Sequence, residues 1–371
     1  PPEIAKKAID FVIARSGVRH NIEVDFFGGE PLMAWDTVTQ TVDYARSLEE
    51  KYNKKFRFTI TTNGLLLDED KRKYINENMD NCVLSLDGRR EVNDEFRKTV
   101  AGTGSYDTIV PKFKALVDER DPNLDYYARG TFTSHNLDFA EDVLSIADAG
   151  FDRLSVEPVT ADPGCGYDLT EDDLPKIEAE YDRLTDIMLE RKKEGKPFTF
   201  FHFMVDLDQG PCVVKRLRGC GAGYEYVAVT PDGDIYPCHQ FVGDPAYKLG
   251  NVWDGVTNTA LRDEFKLCNV YARPDCKDCW ARLYCAGGCA ANALHATGDI
   301  HGTYEYGCKV FRKRMECALM MQVAQRLDPE LAKNAVRFES DCDGCGATES
   351  SAACGGCSET EEAQRSQKTS L

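Results

Sequence analysis

Apolar and polar positions in the first half of the chain repeat one unit. Ile4, Ala8, Phe11 and Val12 share a helical face that ends near Gly17, and residues 22–27 alternate as a strand running into Gly28-Gly29-Glu30-Pro31. Val38, Val42, Ala45 and Leu48 mark the next helix, and Phe56, Phe58 and Ile60 a strand ending at Thr62-Asn63-Gly64. A polar helix over 71–78 leads to a strand over 82–86 and the turn Asp87-Gly88. Residues 106–117 predict a helix and 126–133 a strand. Asn136 is placed to cap a helix closing at Gly150, and residues 154–156 begin a fifth strand. Such alternation with short loops predicts an α/β chain with a parallel sheet or barrel. Right-handed crossovers then bring all strand C-terminal ends to one face. The loops 28–31, 62–64, 87–88 and 157–158 converge there, where α/β folds bind ligands.

After a long helix carrying Leu174, Ile177, Tyr181, Leu184 and Met188, the pattern changes. Strand-like residues 224–229 meet Asp232-Gly233, a hairpin signal, and 236–238 return. A helix is predicted over 309–326. Beyond Glu339 the chain is Ser, Gly, Glu and Cys, a composition that stays flexible unless a metal folds it. The expected division is 1–205, 206–330 and an acidic tail over 331–371.

Composition narrows the classes. The 371 residues contain no apolar run near 18 residues, which excludes a membrane-spanning helix. Forty-five Lys and Arg against 63 Asp and Glu give a net charge of −18, a poor basis for binding nucleic acid. The start, Pro1-Pro2-Glu3-Ile4-Ala5-Lys6, is not a signal peptide, so a cytoplasmic location is expected. The sixteen cysteines change the picture most: two precede residue 212, ten lie from Cys212 to Cys317, and Cys342, Cys345, Cys354 and Cys357 crowd the tail. Clustered CxxC pairs in a long chain point to metal or redox chemistry rather than disulfides.

Two spacings carry that chemistry. Cys220 is followed after twelve residues by Gly233 and after four more by Cys238; Cys276, Cys279, Cys285 and Cys289 are separated by two, five and three residues, with Cys308 further on. Thiolates two residues apart can wrap one metal, and Gly287-Gly288 lets backbone approach a bulky cluster. Four thiolates suit zinc or an iron–sulfur cluster, and spacing alone does not separate them.

Read in order, CX12GX4C, a gap, CX2CX5CX3C, a gap and a last Cys resembles the SPASM domain, which carries two auxiliary [4Fe–4S] clusters. The upstream half resembles a radical S-adenosylmethionine (SAM) domain. Phe27-Gly28-Gly29-Glu30-Pro31 matches that superfamily's GGEP motif at a strand end. Ser85-Leu86-Asp87-Gly88 and Arg129-Gly130-Thr131-Phe132-Thr133 match further motifs of the SPASM branch. Glu23-Val24-Asp25-Phe26, Cys238-His239-Gln240-Phe241-Val242-Gly243, Cys268-Asn269-Val270-Tyr271, Tyr284-Cys285-Ala286-Gly287-Gly288-Cys289 and Glu316-Cys317-Ala318 look like the SCIFF peptide maturases, which form thioethers in a short ribosomal peptide with six cysteines.

The resemblance implies a partial (β/α)6 TIM-like barrel, its first strand missing, followed by a Cys-rich domain with a small β-hairpin and helices. It implies an oxidoreductase that uses SAM and [4Fe–4S] clusters to link Cys sulfur to a Thr α-carbon. Its partners would be a small Cys-rich precursor peptide and a donor such as flavodoxin or ferredoxin. The defining CX3CX2C is absent from these 371 residues. In this family it follows the strand before GGEP, a region that would lie upstream of Pro1, so the reading is an N-terminally truncated enzyme, inactive towards SAM as it stands. The rivals are another SPASM maturase, such as the anaerobic sulfatase type, and a non-catalytic iron–sulfur or zinc-binding homologue.

By the same resemblance Gly28, Gly29, Glu30 and Pro31 meet the SAM amino group, since glycines expose carbonyls and a carboxylate accepts from an ammonium. The plain alternative is a tight turn with a solvated Glu. Ser85 is carried over as a ribose contact (or a capping serine), and Arg129 as the SAM carboxylate partner (or half of a salt bridge). Asn63, Asp87 and Glu157 share that rim. Cys220, Cys238 and Cys289 are assigned to the first auxiliary cluster, with Cys212 a rival fourth ligand; Cys276, Cys279, Cys285 and Cys308 are assigned to the second. No cysteine follows in 221–230, which would leave an iron open to a substrate thiolate. The tail cysteines read as a zinc site or as free thiols, Cys82 as core, Cys268 and Cys317 as buried thiols, and Cys165 has no assignment. His202 reads as a packed core residue, and His239 as a neighbour of a cluster ligand.

Overall fold

The computed structural model describes residues 1–205, 207 and 213–333, with backbone alone for 213–215 and 332–333. Cys212 and the four tail cysteines lie outside the described residues. Strands β1 (Asn21–Phe26), β2 (Lys55–Thr62), β3 (Asn81–Ser85), β4 (Asp125–Phe132), β5 (Arg153–Pro158) and β6 (Thr199–Phe200) pair in sequence order as one parallel six-stranded sheet. Helices α1 (Pro2–Arg15), α2 (Trp35–Tyr52), α3 (Glu69–Asn78), α4 (Arg90–Phe96), α5 (Tyr106–Asp118), α6 (Phe139–Asp148) and α7 (Leu174–Lys193) alternate with them.

The strands explain which face does what. On β2, Phe56, Phe58 and Ile60 are fully buried while Arg57, Thr59 and Thr61 between them are half-buried. On β4, Tyr126, Ala128 and Phe132 are buried and Arg129 is exposed. The buried set joins the helices in one core, where Phe132 stacks on Phe139 with ring centroids 4.3 Å apart. The alternate set includes Asp25, Thr59, Thr61, Ser85, Arg129, Ser155 and Glu157. A parallel sheet normally covers both faces with apolar side chains. This one places mostly polar side chains on its inner face.

The Cys-rich part contains α8 (Val213–Arg218), α9 (Thr259–Leu267), α10 (Arg282–Cys285), α11 (Ala290–Thr297), α12 (Glu305–Leu327) and α13 (Pro329–Lys333). The hairpin expected at Asp232-Gly233 is present as β7 (Ala228–Val229) and β8 (Asp234–Tyr236). It is enlarged by β9 (Gly250–Asn251) and β10 (Gly255–Val256) into a four-stranded antiparallel sheet. Two-residue strands such as β9, β10 and β6 carry no periodicity and so left no trace in the pattern. The two parts interlock. Helix α12 places Val310, Met315, Ala318 and Met321 in the core of the parallel sheet, and α1 turns Ile4, Ala8 and Phe11 onto Ile235, Leu249 and Val252.

Asn136 does not cap α6, which begins after Asp138. Its Oδ1 instead accepts from the Thr133 N–H at 2.8 Å, and its Nδ2 donates to Asp142 at 2.9 Å. It stands two residues too early to reach the helix donors. No described helix is long and apolar enough to cross a membrane.

Candidate functional site

The rim begins where β1 ends. Gly28 and Gly29 take φ of +89° and +54°, a left-handed pair that turns the chain sharply towards Glu30. The Glu30 carboxylate is half-buried and bound by its neighbours. It accepts from the Leu32 N–H at 3.1 Å, the Thr62 hydroxyl at 2.8 Å and the Asn63 N–H at 2.7 Å, tying the first loop to the end of β2. A carboxylate offers about four lone-pair positions, so one remains for an ammonium. Replacing Glu30 by alanine orphans three donors and is expected to cost about 2–4 kcal/mol, read as a lower denaturation midpoint. An unchanged midpoint would show that these bonds contribute nothing.

Ser85, Arg129 and Ser155 stand side by side across β3, β4 and β5. Arg129 donates to Glu157 at 3.1 Å, an ion pair with both partners largely exposed and therefore worth little, and its guanidinium keeps further donors. Asp87 is committed to architecture: Arg97 binds it through two bonds of 2.6 and 2.8 Å, and the Thr131 N–H donates to it at 3.0 Å. Asn63 turns its side chain onto the Leu65 N–H.

His202 lies 3.0 Å from Arg314 through Nδ1 and 3.2 Å from the Ser155 hydroxyl through Nε2. A guanidinium only donates, so Nδ1 accepts and Nε2 carries the proton towards Ser155. Burial, then the charges of Arg314 and Arg129, push the His202 pKa well down and keep it neutral. It is packed, as expected, but within the polar face. Asp25 is open to solvent at its edge yet crowded by protein. Burial pushes its carboxyl up to about 6, opposed by Arg129 and reinforced by Glu23. Asp25 and Ser155 were not picked out as site residues, although a polar residue at alternate positions of a parallel strand is a signal for them.

The Cys-rich part closes onto this face. The Phe27 and His239 rings are 4.8 Å apart. The Tyr226 hydroxyl, raised to about 12 by burial, also feels the charges of Cys238, Asp25 and Cys220. Cys220, Cys238 and Cys289 line one cavity, together with Cys268. Burial raises the Cys238 thiol to about 11, Cys289 and Cys220 push the same way, and the N–H groups of Gln240 and Phe241 oppose them.

A second set is gathered separately. Cys285 is raised by burial and by Cys276 and Cys279, and held back by the Gly287 and Gly288 N–H groups. Cys308 is raised to about 11 by burial first, then by Cys285. The neighbours Cys285 and Cys289 are parted by a turn. Helix α10 ends at Cys285, and Ala286, Gly287 and Gly288 take φ of +57°, +88° and +77° before Cys289 caps α11. Three left-handed residues in succession reverse the chain and send the two sulfurs to different groups.

These thiols fit iron–sulfur chemistry. Crowded sulfurs whose ionisation is mutually opposed, with N–H groups already aimed at two of them, match a cationic iron core that takes thiolates. Among the described residues no three His, Cys, Asp or Glu side chains converge to hold one ion. A cluster requires no such convergence, because each iron takes its own sulfur. Cys82 is fully buried in β3, Cys317 is buried on α12 and donates to Asp182, and Cys165 is exposed.

Residues 220–280 match the sequence profile of the SPASM iron–sulfur cluster-binding domain. The chain is 24% identical over 308 residues to the cysteine-type anaerobic sulfatase-maturating enzyme of Clostridium perfringens, spanning 79% of this chain and 80% of that one. It is 23% identical to the radical SAM cyclopropyl synthase TigE of Paramaledivibacter caminithermalis, over 92% of this chain and 67% of the other. The solved structure of native anSMEcpe with bound AdoMet shares the fold, with a TM-score of 0.71 at 22% identity, covering 88% of this chain and 90% of that one. Residues 220–280 thus match a SPASM iron–sulfur cluster-binding domain behind a parallel α/β sheet whose fold is shared with an AdoMet-bound enzyme, and the chain is similar, at low identity, to maturases and a radical SAM synthase.

Proposed function

We propose that this chain is a radical SAM peptide maturase of the SCIFF type, joining a cysteine sulfur to a threonine α-carbon within a small ribosomal Cys-rich peptide. In this reading residues 1–205 bind SAM, 206–330 hold two auxiliary [4Fe–4S] clusters, and 331–371 form an acidic tail. Gly28 and Gly29 present backbone carbonyls, and Glu30 presents its remaining lone pair, to the SAM ammonium. Ser85 meets the ribose and Arg129 the carboxylate. Cys220, Cys238 and Cys289 hold one cluster; Cys276, Cys279, Cys285 and Cys308 hold the other. Held by these residues, SAM would supply radical removal of a hydrogen from the acceptor carbon. The inner face orients that carbon and excludes water, and electrons leave towards a flavodoxin- or ferredoxin-like partner. The observation that carries this reading is the sorting of the seven thiols into two groups, one of them against the polar face through Tyr226 and Phe27–His239.

Because no CX3CX2C stands in these 371 residues, the chain alone is expected to release no 5′-deoxyadenosine from SAM and dithionite. The decisive assay supplies a chain that carries that motif joined ahead of Pro1 and offers it a six-cysteine peptide. Each thioether removes one C–H and one S–H hydrogen, so the product loses two hydrogens and one alkylatable thiol per link. A second reading, sulfatase-type oxidation of a cysteine to an aldehyde, is favoured by the Clostridium relative. It would give a carbonyl on a sulfatase peptide and no crosslink. Neither product from either peptide would sink both readings.

A further inference from the structure

Arg129 needs a support that its own ion pair does not give. Its partner Glu157, 3.1 Å away, is itself 36% exposed, and an exposed pair of long side chains holds no fixed geometry. A guanidinium that receives a carboxylate in one orientation has to be pinned by something rigid. We propose that His202, with its ring proton placed by Arg314, is a positioning residue for Arg129. The inference rests on the reading of Arg129 as the partner of the SAM carboxylate.

His202 is rigid where Arg129 and Glu157 are not. It sits in the turn Phe201–Phe203 after β6, its side chain 9% exposed, with the rings of Phe200 and Phe201 each 5.4 Å from its own. Its Nε2 faces β5, 3.2 Å from the Ser155 hydroxyl and 3.7 Å from Glu157 Oε1, the same oxygen that accepts from Arg129. The second distance is too long for a hydrogen bond but short enough for the polarity of the nitrogen to count. With its proton, Nε2 attracts the carboxylate. Without it, a lone pair would face the carboxylate and push it away. Arg314 decides between the two, because its donation to Nδ1 at 3.0 Å leaves Nε2 as the place for the ring proton. Burial and the charges of Arg314 and Arg129 keep the ring neutral, so Nδ1 stays an acceptor. The same Nε2 fixes Ser155, which stands directly beside Arg129 across the two strands. Arg314 thus sets the tautomer, the tautomer holds Glu157 and Ser155, and Glu157 holds Arg129 with further N–H groups left for a carboxylate.

The consequence reaches beyond the parallel sheet. Arg314 belongs to α12, the helix that also carries Cys308. In this arrangement the SAM side of the inner face is finished by the Cys-rich part, through a residue 112 positions from His202.

Two measurements test this. The first needs no SAM: nitrogen NMR of the isotope-labelled 371-residue chain reads which ring nitrogen of His202 carries the proton. The parent chain is expected to show it on Nε2, and Arg314→Met to move population towards Nδ1. A parent ring protonated on Nδ1, or a ring unmoved by Arg314→Met, overturns the inference and leaves the SAM reading standing. The second measurement uses the chain with CX3CX2C joined ahead of Pro1, loaded with iron and sulfide, and compares Kd for SAM with Kd for decarboxylated SAM. Arg314→Met and His202→Phe are each expected to weaken SAM binding by about tenfold, the worth of one hydrogen bond to a charged group. Decarboxylated SAM should bind these variants as it binds the parent, because it has no carboxylate for Arg129 to hold. Arg314→Lys, which keeps a cationic donor, should restore most of the SAM affinity. Equal weakening of both ligands would mark a merely structural role and overturn the inference, as would no weakening of either. A parent chain that binds the two ligands equally well would take down the reading of Arg129, and the inference with it.

Discussion

Alanine at Cys285 and alanine at Cys289 are each expected to remove about half the iron that the reconstituted chain binds, about four of eight atoms for two [4Fe–4S] clusters. The losses should come from different clusters, although the two cysteines are separated by only three residues. Cys285 ends α10 among Cys276, Cys279 and Cys308, whereas Cys289 opens α11 in the cavity of Cys220 and Cys238. The double variant should bind little iron, and the two single variants should leave distinguishable spectra. If both variants lost the same cluster, or neither lost any, the division of the thiols would be wrong. A further check is Ala286→Gly, which relieves the left-handed alanine at φ +57° and should leave iron content unchanged.

A large effect on stability away from the thiols is expected at Gly130. Its backbone lies so close to the preceding strand's exit that a Cβ there would stand 2.5 Å from the Leu86 carbonyl oxygen and 2.7 Å from the Asp87 Cα. Both obstacles are backbone, so no side chain can swing away. Asp87 is also held from the far side by Arg97. Gly130→Ala must therefore push β3 and β4 apart beside Ser85 and Arg129. The expected cost is about 3 kcal/mol, a drop in Tm on the order of 4 °C for a chain of this size. If Ser85 and Arg129 contact SAM as proposed, SAM affinity falls with it, because the two residues lose their register. A midpoint within about 0.5 kcal/mol of the parent chain would show that the rim yields more easily than its bonds imply.

The glycine at that position illustrates how far the chain could be read before its structure. The string Arg129-Gly130-Thr131 was recognisable as a motif, yet motif matching does not say why the glycine is there; the close approach of Leu86 does. The helices and longer strands of the parallel sheet were legible because each buries one face, and burial writes a period of two or near 3.6 into the sequence. The two-residue strands β6, β9 and β10 bury too little to leave a period. Helix α12 was legible as a helix, but not as part of the sheet's own core, because the partner of an apolar stripe is not written in the stripe.

The same division holds at the site. The loops 28–31, 62–64, 87–88 and 157–158 at strand ends followed from local pattern and one-handed crossovers, so their convergence on one rim was legible in the sequence alone, whereas Ser85 and Arg129 came from the motif resemblance. Legible too was the presence of enough clustered thiols for metal chemistry. Only the tertiary structure decided that Glu30 is bound by Thr62 and Asn63, that Ser155, His202 and Arg314 form one half-buried chain of hydrogen bonds, and that Cys268 shares a wall with Cys220. Those contacts join residues tens to more than a hundred positions apart. Spacing along a chain constrains what neighbours in sequence can do, whereas a cavity is made by whichever distant segments the packing of the core brings to its walls.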